Sequence, residues 1–187
     1  EAVVSIVFEL MRARPIKESI GVVALSRAQA DLIEQLMNDR RLVERALDDR
    51  FAEDRQERFF VKNLENVQGD ERDHIILDIG YGPTVGSEAT PPNRFGPLNN
   101  DGGERRLNVA ISRARMSLTV VHSLRPQDIR SDKPGPKHLR RYLEFVASPK
   151  GALEAGEVRP TCDEPESDFE AAVYRALISR GLKVVCQ

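Results

Sequence analysis

Two short runs limit what this chain can fold into. Ile20–Leu25 (IGVVAL) and His74–Ile79 (HIILDI) are almost wholly apolar and rich in β-branched residues. A strand with one face in water alternates apolar and polar residues, so an unbroken run of this length belongs to a strand covered on both sides. Such strands sit in parallel sheets, whose members must be joined by long crossovers, usually helices.

The surrounding segments supply those helices. Glu1 to Arg14 places Val3, Val7, Leu10 and Met11 on one side, with Val4 and Phe8 adjoining, and Pro15 marks the end. Ala28 to Leu47 repeats Ala30, Ile33, Leu36 and Met37 at helical spacing, directly after the first apolar run. Asp48 to Arg58 is highly charged and reads as an exposed turn. Phe59 to Leu64 reads as a short strand, and a polar turn, Glu65 to Asp73, leads into the second apolar run.

Gly80 to Gly103 collects six Gly, four Pro and three Asn and reads as a long loop, a feature that in a compact domain is often functional. Glu104 to Arg115 is again helical in pattern, and Met116 to His122 alternates as a strand does. Ser123 to Pro136 is turn-rich, and His138 to Ala147 closes with Leu139, Leu143 and Val146 on one side. Alternating strands and helices predict an α/β fold, a parallel sheet with helices on both faces, over residues 1–147.

The pattern then changes. Residues 148–165 hold Pro, Gly and acidic residues without periodicity and read as a linker. Residues 166–187 carry one helical pattern, Ser167 to Arg180, and one strand-like stretch, Leu182 to Val185. That is too little for a core, so the chain is expected to be a fragment whose second domain is cut short.

Composition narrows the chemistry. The 187 residues allow one full core and at most a small second unit. No apolar run approaches the roughly 20 residues of a membrane span, and no leader-like segment opens the chain, so a soluble cytoplasmic protein is expected. Cys162 and Cys186, with three scattered histidines (His74, His122 and His138), support neither a disulfide framework nor a metal site. Charge is uneven: residues 101–150 carry 11 Lys+Arg against 5 Asp+Glu, whereas residues 1–100 carry 13 against 18. That basic stretch is either a phosphate-facing surface or an ordinary solvated face.

Several motifs have plain structural readings. Gly80, Gly82 and Gly86 match neither common phosphate-binding pattern, and no Walker A loop occurs anywhere, so ATP chemistry would need a P-loop from outside this chain. Ser167 and Glu170 fit a capping box, although Glu170 as a catalytic carboxylate stays open. In the helix expected over Glu104 to Arg115, Leu107, Ala110, Ile111 and Ala114 form the core stripe. Arg113 and Arg115 then fall on opposite flanks, where they cannot aim at one ligand. They are either surface arginines or a phosphate contact with a second, separate role.

Three strings resemble superfamily-one helicases, in particular the group of the nonsense-mediated-decay helicase. ERRLNVAISRAR at 104–115 resembles motif VI, VKNLENVQGDERDHIIL at 61–77 is similar to motif V, and GVVALSRAQADLIEQLM at 21–37 looks like motif IV. The resemblance covers residues 1–147 and implies a second RecA-like domain. It implies that Arg113 is the arginine finger reaching the γ-phosphate of ATP held on a first RecA-like domain. Glu71 would bond the ribose, Gly69 would allow close backbone approach, and Gln68 would position the loop. Arg27 and Gln29 are carried over as nucleotide contacts, and Asn63 stands where the family has a threonine on the nucleic-acid backbone.

The implied cofactors are ATP and Mg2+, the metal's ligands lying on the missing domain. The implied partners are single-stranded nucleic acid, DNA in preference to RNA, and the first RecA-like domain. The tail at 166–187 resembles the start of a restriction-endonuclease-like domain, as in large bacterial helicases. The expected activity is ATP-dependent helicase action by the full protein, with the fragment alone inactive. The alternative is a non-hydrolysing platform for nucleic acid or a protein partner.

Overall fold

The computed structural model describes residues 1–82 and 94–147. Contacts divide the chain into two compact units, Glu1–Leu143 and Glu144–Gln187. The first holds a four-stranded sheet formed by β1 (Ile20–Ala24), β2 (Phe60–Asn63), β3 (Arg72–Asp78) and β4 (Ala114–Val121), in the order β2-β1-β3-β4 with every pair parallel. Helices α1 (Ala2–Ala13), α2 (Arg27–Val43), α3 (Gly103–Ile111) and α4 (Pro134–Ala147) accompany it. This is the α/β class that the two apolar runs predict.

Alternation along the central strands builds two cores. Ile20, Val22 and Ala24 of β1 and Ile76 of β3 pack with Val3, Val4, Val7, Phe8 and Met11 of α1 and Ala30, Ile33 and Met37 of α2. Val23, Leu25, Ile75, Leu77 and Ile79 point the other way, against Leu107 and Ala110 of α3 and Leu139 and Leu143 of α4. Both central strands are therefore buried on two faces, which is why they lack polar alternation. Val146, expected beside Leu143, is exposed.

Each end has a local cause. α1 stops at Ala13 because Arg14 is extended (ψ 149°), as a residue before proline prefers. Ser26 caps α2, its Oγ accepting the Gln29 N–H at 3.2 Å. Gly21 leaves room for the Phe60 ring, whose Cζ lies 2.6 Å from where a Cβ would stand.

Two expectations need correction. The charged stretch from Asp48 does not begin an exposed turn: Arg45–Phe51 is a 3-10 segment, and Arg50 within it is buried. Its guanidinium donates to the carbonyls of Met11 (2.7 Å), Pro15 (2.8 Å) and Arg14, satisfying acceptors that the end of α1 would otherwise orphan. Burial pulls its pKa down.

The helix expected to Arg115 ends at Ile111. Arg113 already lies beyond it, and Arg115 is the second residue of β4. Pairing with β3 outweighs continued helix here, because Arg72 N–H donates to the Arg113 carbonyl at 3.1 Å and Ala114 stands opposite Arg72. In the glycine-rich stretch, Gly96–Asn99 forms a 3-10 segment. Gly86, the linker at 148–165, the capping pair Ser167 and Glu170, and the nuclease-like stretch at 166–187 lie outside the described residues.

Candidate functional site

All strands point one way, so the sheet has an amino edge and a carboxyl edge. β3 crosses from one to the other, about 20 Å at 3.3 Å per residue. The sequence-predicted residues divide between these edges.

Arg113 and Glu71 meet at the amino edge, each just before the strand it leads into. Arg113 folds back over the end of α3, Nε donating to the Val109 carbonyl at 2.9 Å and Nη2 to Ser112 Oγ at 3.2 Å. Its Nη1 lies 3.6 Å from Glu71 Oε1. The arginine side chain is 19% exposed and the glutamate 51%, so the pair forms a half-open surface site. Gln68 and Gly69 are exposed just upstream. Gly69 has φ +86°, and a Cβ there would meet nothing within 4 Å, so its backbone stands open to approach.

A network two residues further along each strand fixes this pair. Arg115 donates through Nε to Asp73 Oδ1 (3.0 Å), through Nη1 to Glu57 (2.6 Å) and through Nη2 to Ser19 Oγ (3.1 Å). Asp73 Oδ2 accepts the Ser19 N–H at 2.8 Å and the Ser19 hydroxyl at 3.0 Å. These bonds, led by the Ser19 N–H, hold the Asp73 carboxyl below its usual range. Hydrogen bonds from Arg115 do the same for Glu57, and Glu57 in turn raises Arg115. Next to them, buried His74 lies 2.7 Å from both Ser117 Oγ and Glu18 Oε2. The two arginines expected to have separate jobs do have separate partners.

Asn63, Arg27 and Gln29 lie at the carboxyl edge, away from Arg113. Asn63 ends β2 and is buried, its Oδ1 accepting the Asn66 N–H at 3.1 Å, an Asx turn that leaves the amide nitrogen as its remaining donor. Arg27 is exposed at the start of α2, with Nε 2.8 Å from Asp31 Oδ1. The Gln29 side chain lies over Gly80 (φ +61°), where a Cβ would come within 2.9 Å of its Cγ.

Beneath them is Asp78, which sequence reasoning missed. It is buried, its Oδ2 has no hydrogen-bond partner, and burial raises its carboxyl pKa against the opposing effect of Gln29. Glu57 and Ser19 were missed as well. Their partner Arg115 is 58 and 96 residues away in sequence, beyond any periodicity. Among the described residues, no group of three His, Cys, Asp or Glu could hold a metal, and no helix is long and apolar enough to cross a membrane.

Fold and edges define a parallel α/β domain that offers an arginine and a carboxylate from one end of its sheet. The chain belongs to the AAA domain family, whose model matches residues 1–125. It is 38% identical over 142 residues to an uncharacterized ATP-dependent helicase of Mycoplasma genitalium, covering 73% of this chain and 12% of that protein. A homologue in Mycoplasma pneumoniae is 37% identical over 142 residues, with the same coverage. The chain therefore spans about an eighth of the length of these relatives. In a crystal structure of the C-terminal domain of a possible DNA helicase from Lactobacillus plantarum, the match has a TM-score of 0.40 and 15% identity over 75% of this chain and 74% of that one.

Proposed function

We propose that this chain is the C-terminal motor domain of an ATP-dependent superfamily-one helicase. It completes, from its amino edge, a nucleotide site carried by a first RecA-like domain, and it grips single-stranded nucleic acid from its carboxyl edge. The observation that carries this reading is the meeting of Arg113 and Glu71 beside the open backbone of Gly69. A guanidinium, a carboxylate and an approachable main chain are the groups that phosphate, ribose and a close-lying nucleotide require. The names of the Mycoplasma relatives support it.

When bound, ATP supplies the phosphoanhydride that is cleaved, and Mg2+ would be held by the first domain. Within this chain, Arg113 exchanges the Val109 carbonyl and Glu71 for the γ-phosphate and neutralises charge developing there. Glu71 accepts a ribose hydroxyl, and Gln68 steadies the loop. Arg27 and Gln29 lie at the opposite edge of the sheet, about the length of β3 from Glu71 and Arg113. Those two side chains therefore act with Asn63 on nucleic acid rather than on ATP. The isolated chain neither hydrolyses ATP nor unwinds.

The test is ATP hydrolysis by the full-length protein with a single-stranded oligonucleotide, wild type against Arg113→Ala. Turnover falls about 10³-fold with nucleotide binding retained. Unchanged turnover refutes the assignment, and a wild type without turnover favours a non-hydrolysing platform.

A further inference from the structure

The basic stretch of the sequence becomes a surface in the fold. α3 and α4 lie on the same face of the sheet and share one core. Both begin against the same carbonyl: a Cβ on Gly103 would stand 2.3 Å, and one on Gly135 2.0 Å, from the Leu98 oxygen. Their outward sides therefore face the same solvent, next to the carboxyl edge from which both helices start. Arg105, Lys137 and Arg141 are exposed there, the last two one helical turn apart. Arg106 donates to the Asp101 carbonyl at 3.0 Å and Lys133 to the Asn99 carbonyl at 3.1 Å, so neither charge is neutralised by those contacts.

Among the described residues, none of these five cations is in an ion pair, although Asp101, Glu104 and Asp132 lie in the same stretch. Elsewhere in the molecule Arg12, Arg27, Arg40, Arg41, Arg113 and Arg115 pair with carboxylates, while Arg14, Lys17 and Arg45 form no ion pair among the described residues. The five cations outnumber Asp101, Glu104 and Asp132 and are held by none of them, beside the edge that carries Asn63, and so complement a chain of phosphates.

We infer that this α3–α4 surface is a second contact for single-stranded nucleic acid, extending the strand's path from the carboxyl edge over the starts of the two helices. The inference rests on the nucleic-acid reading above. Its contacts are to the backbone and independent of base sequence, so they register mainly in salt dependence.

The test uses the full-length protein and a fluorescein-labelled oligo(dT) of about 20 nucleotides, with the dissociation constant measured by anisotropy across a sodium chloride series. The variant is Arg105→Gln/Lys137→Gln/Arg141→Gln. These side chains are exposed and make no hydrogen bond among the described residues, so removing them is expected to leave the fold intact, and a circular dichroism melt against wild type checks it. The control, Arg14→Gln/Lys17→Gln/Arg45→Gln, removes the same charge from exposed side chains that also form no ion pair among the described residues and lie away from these helices. The surface variant binds at least tenfold more weakly at 0.1 M salt, and its slope of log K against log salt is shallower by about 2 units. The control keeps the wild-type slope.

Equal losses in both variants, or an unchanged slope in the surface variant, overturn the inference while leaving Asn63 and Arg27 in place. A wild type that does not bind oligo(dT) overturns the nucleic-acid reading itself. Binding lost only for an acidic protein partner and not for oligo(dT) also overturns it.

Discussion

At the scale of single residues, Asp73 ties three parts of the chain with one carboxylate: Ser19 ahead of β1, its own strand β3, and Arg115 of β4. Asp73→Asn keeps the shape and removes the charge, and is expected to cost about 2 kcal/mol at neutral pH, as for hydrogen bonds to a charged group. The folded-state pKa is depressed, so this stability is fully present above the usual carboxylate value near 4 and is lost as pH falls through the folded-state value. Urea denaturation at several pH values checks it: the gap between wild type and variant is widest at pH 7 and closes below about pH 4. Arg113 and Glu71 stand two residues before Arg115 and Asp73, so the same network sets where the candidate site can point.

At the scale of elements, α3 and α4 meet the chain at Leu98 with only glycine able to fit. Gly135→Ala sets a Cβ against a main-chain oxygen that cannot swing aside, and should cost about 2–3 kcal/mol in urea denaturation as α4 lifts from its seat. Gly21→Ala meets only the far edge of the Phe60 ring, which can pivot, and should cost clearly less. The same contrast explains what was legible in advance. Arg72 and Asp73, which open β3, read as the end of a polar turn, whereas the strands over Ile20–Leu25 and His74–Ile79 were readable because nearly unbroken apolar runs leave a strand no face for water. The end of α3 was not, because residues 112–115 continue a helical pattern locally while the backbone of Arg72 claims them from across the sheet. Arg50 was hidden for a similar reason: its acceptors lie 35 to 39 residues upstream, and one of three arginines in a charged stretch carries no mark of burial. The juxtaposition of Arg113 and Glu71 came from resemblance, since the two are 42 positions apart and no spacing rule joins them.

At the scale of the whole molecule, the sheet separates two sets of residues that the sequence presents close together: Asn63 and Glu71 are eight positions apart yet lie at opposite edges. Their effects should separate too. Glu71→Ala is expected to raise the KM for ATP about tenfold, the scale of one hydrogen bond to a charged group, with oligonucleotide binding in the absence of nucleotide unchanged. Asn63→Ala combined with Arg27→Ala should do the reverse. Steady-state hydrolysis and oligonucleotide titration on the same preparations distinguish the two, and a variant that shifts both constants alike would contradict a two-edged domain.

The parallel pairing of β3 with β4, joined at their start through Arg72 and Arg113, also has a mechanical meaning. A pull on the carboxyl end of one strand, resisted at the amino end of the other, runs lengthwise along both. The rungs between them are then loaded in shear, all at once, instead of being unzipped one after another. A sheet strained in this way is stiff, and a displacement at one end of β3 arrives at the other with little loss. Arg113, whose carbonyl accepts the first rung between the two strands, is thereby placed to follow a displacement at their far end.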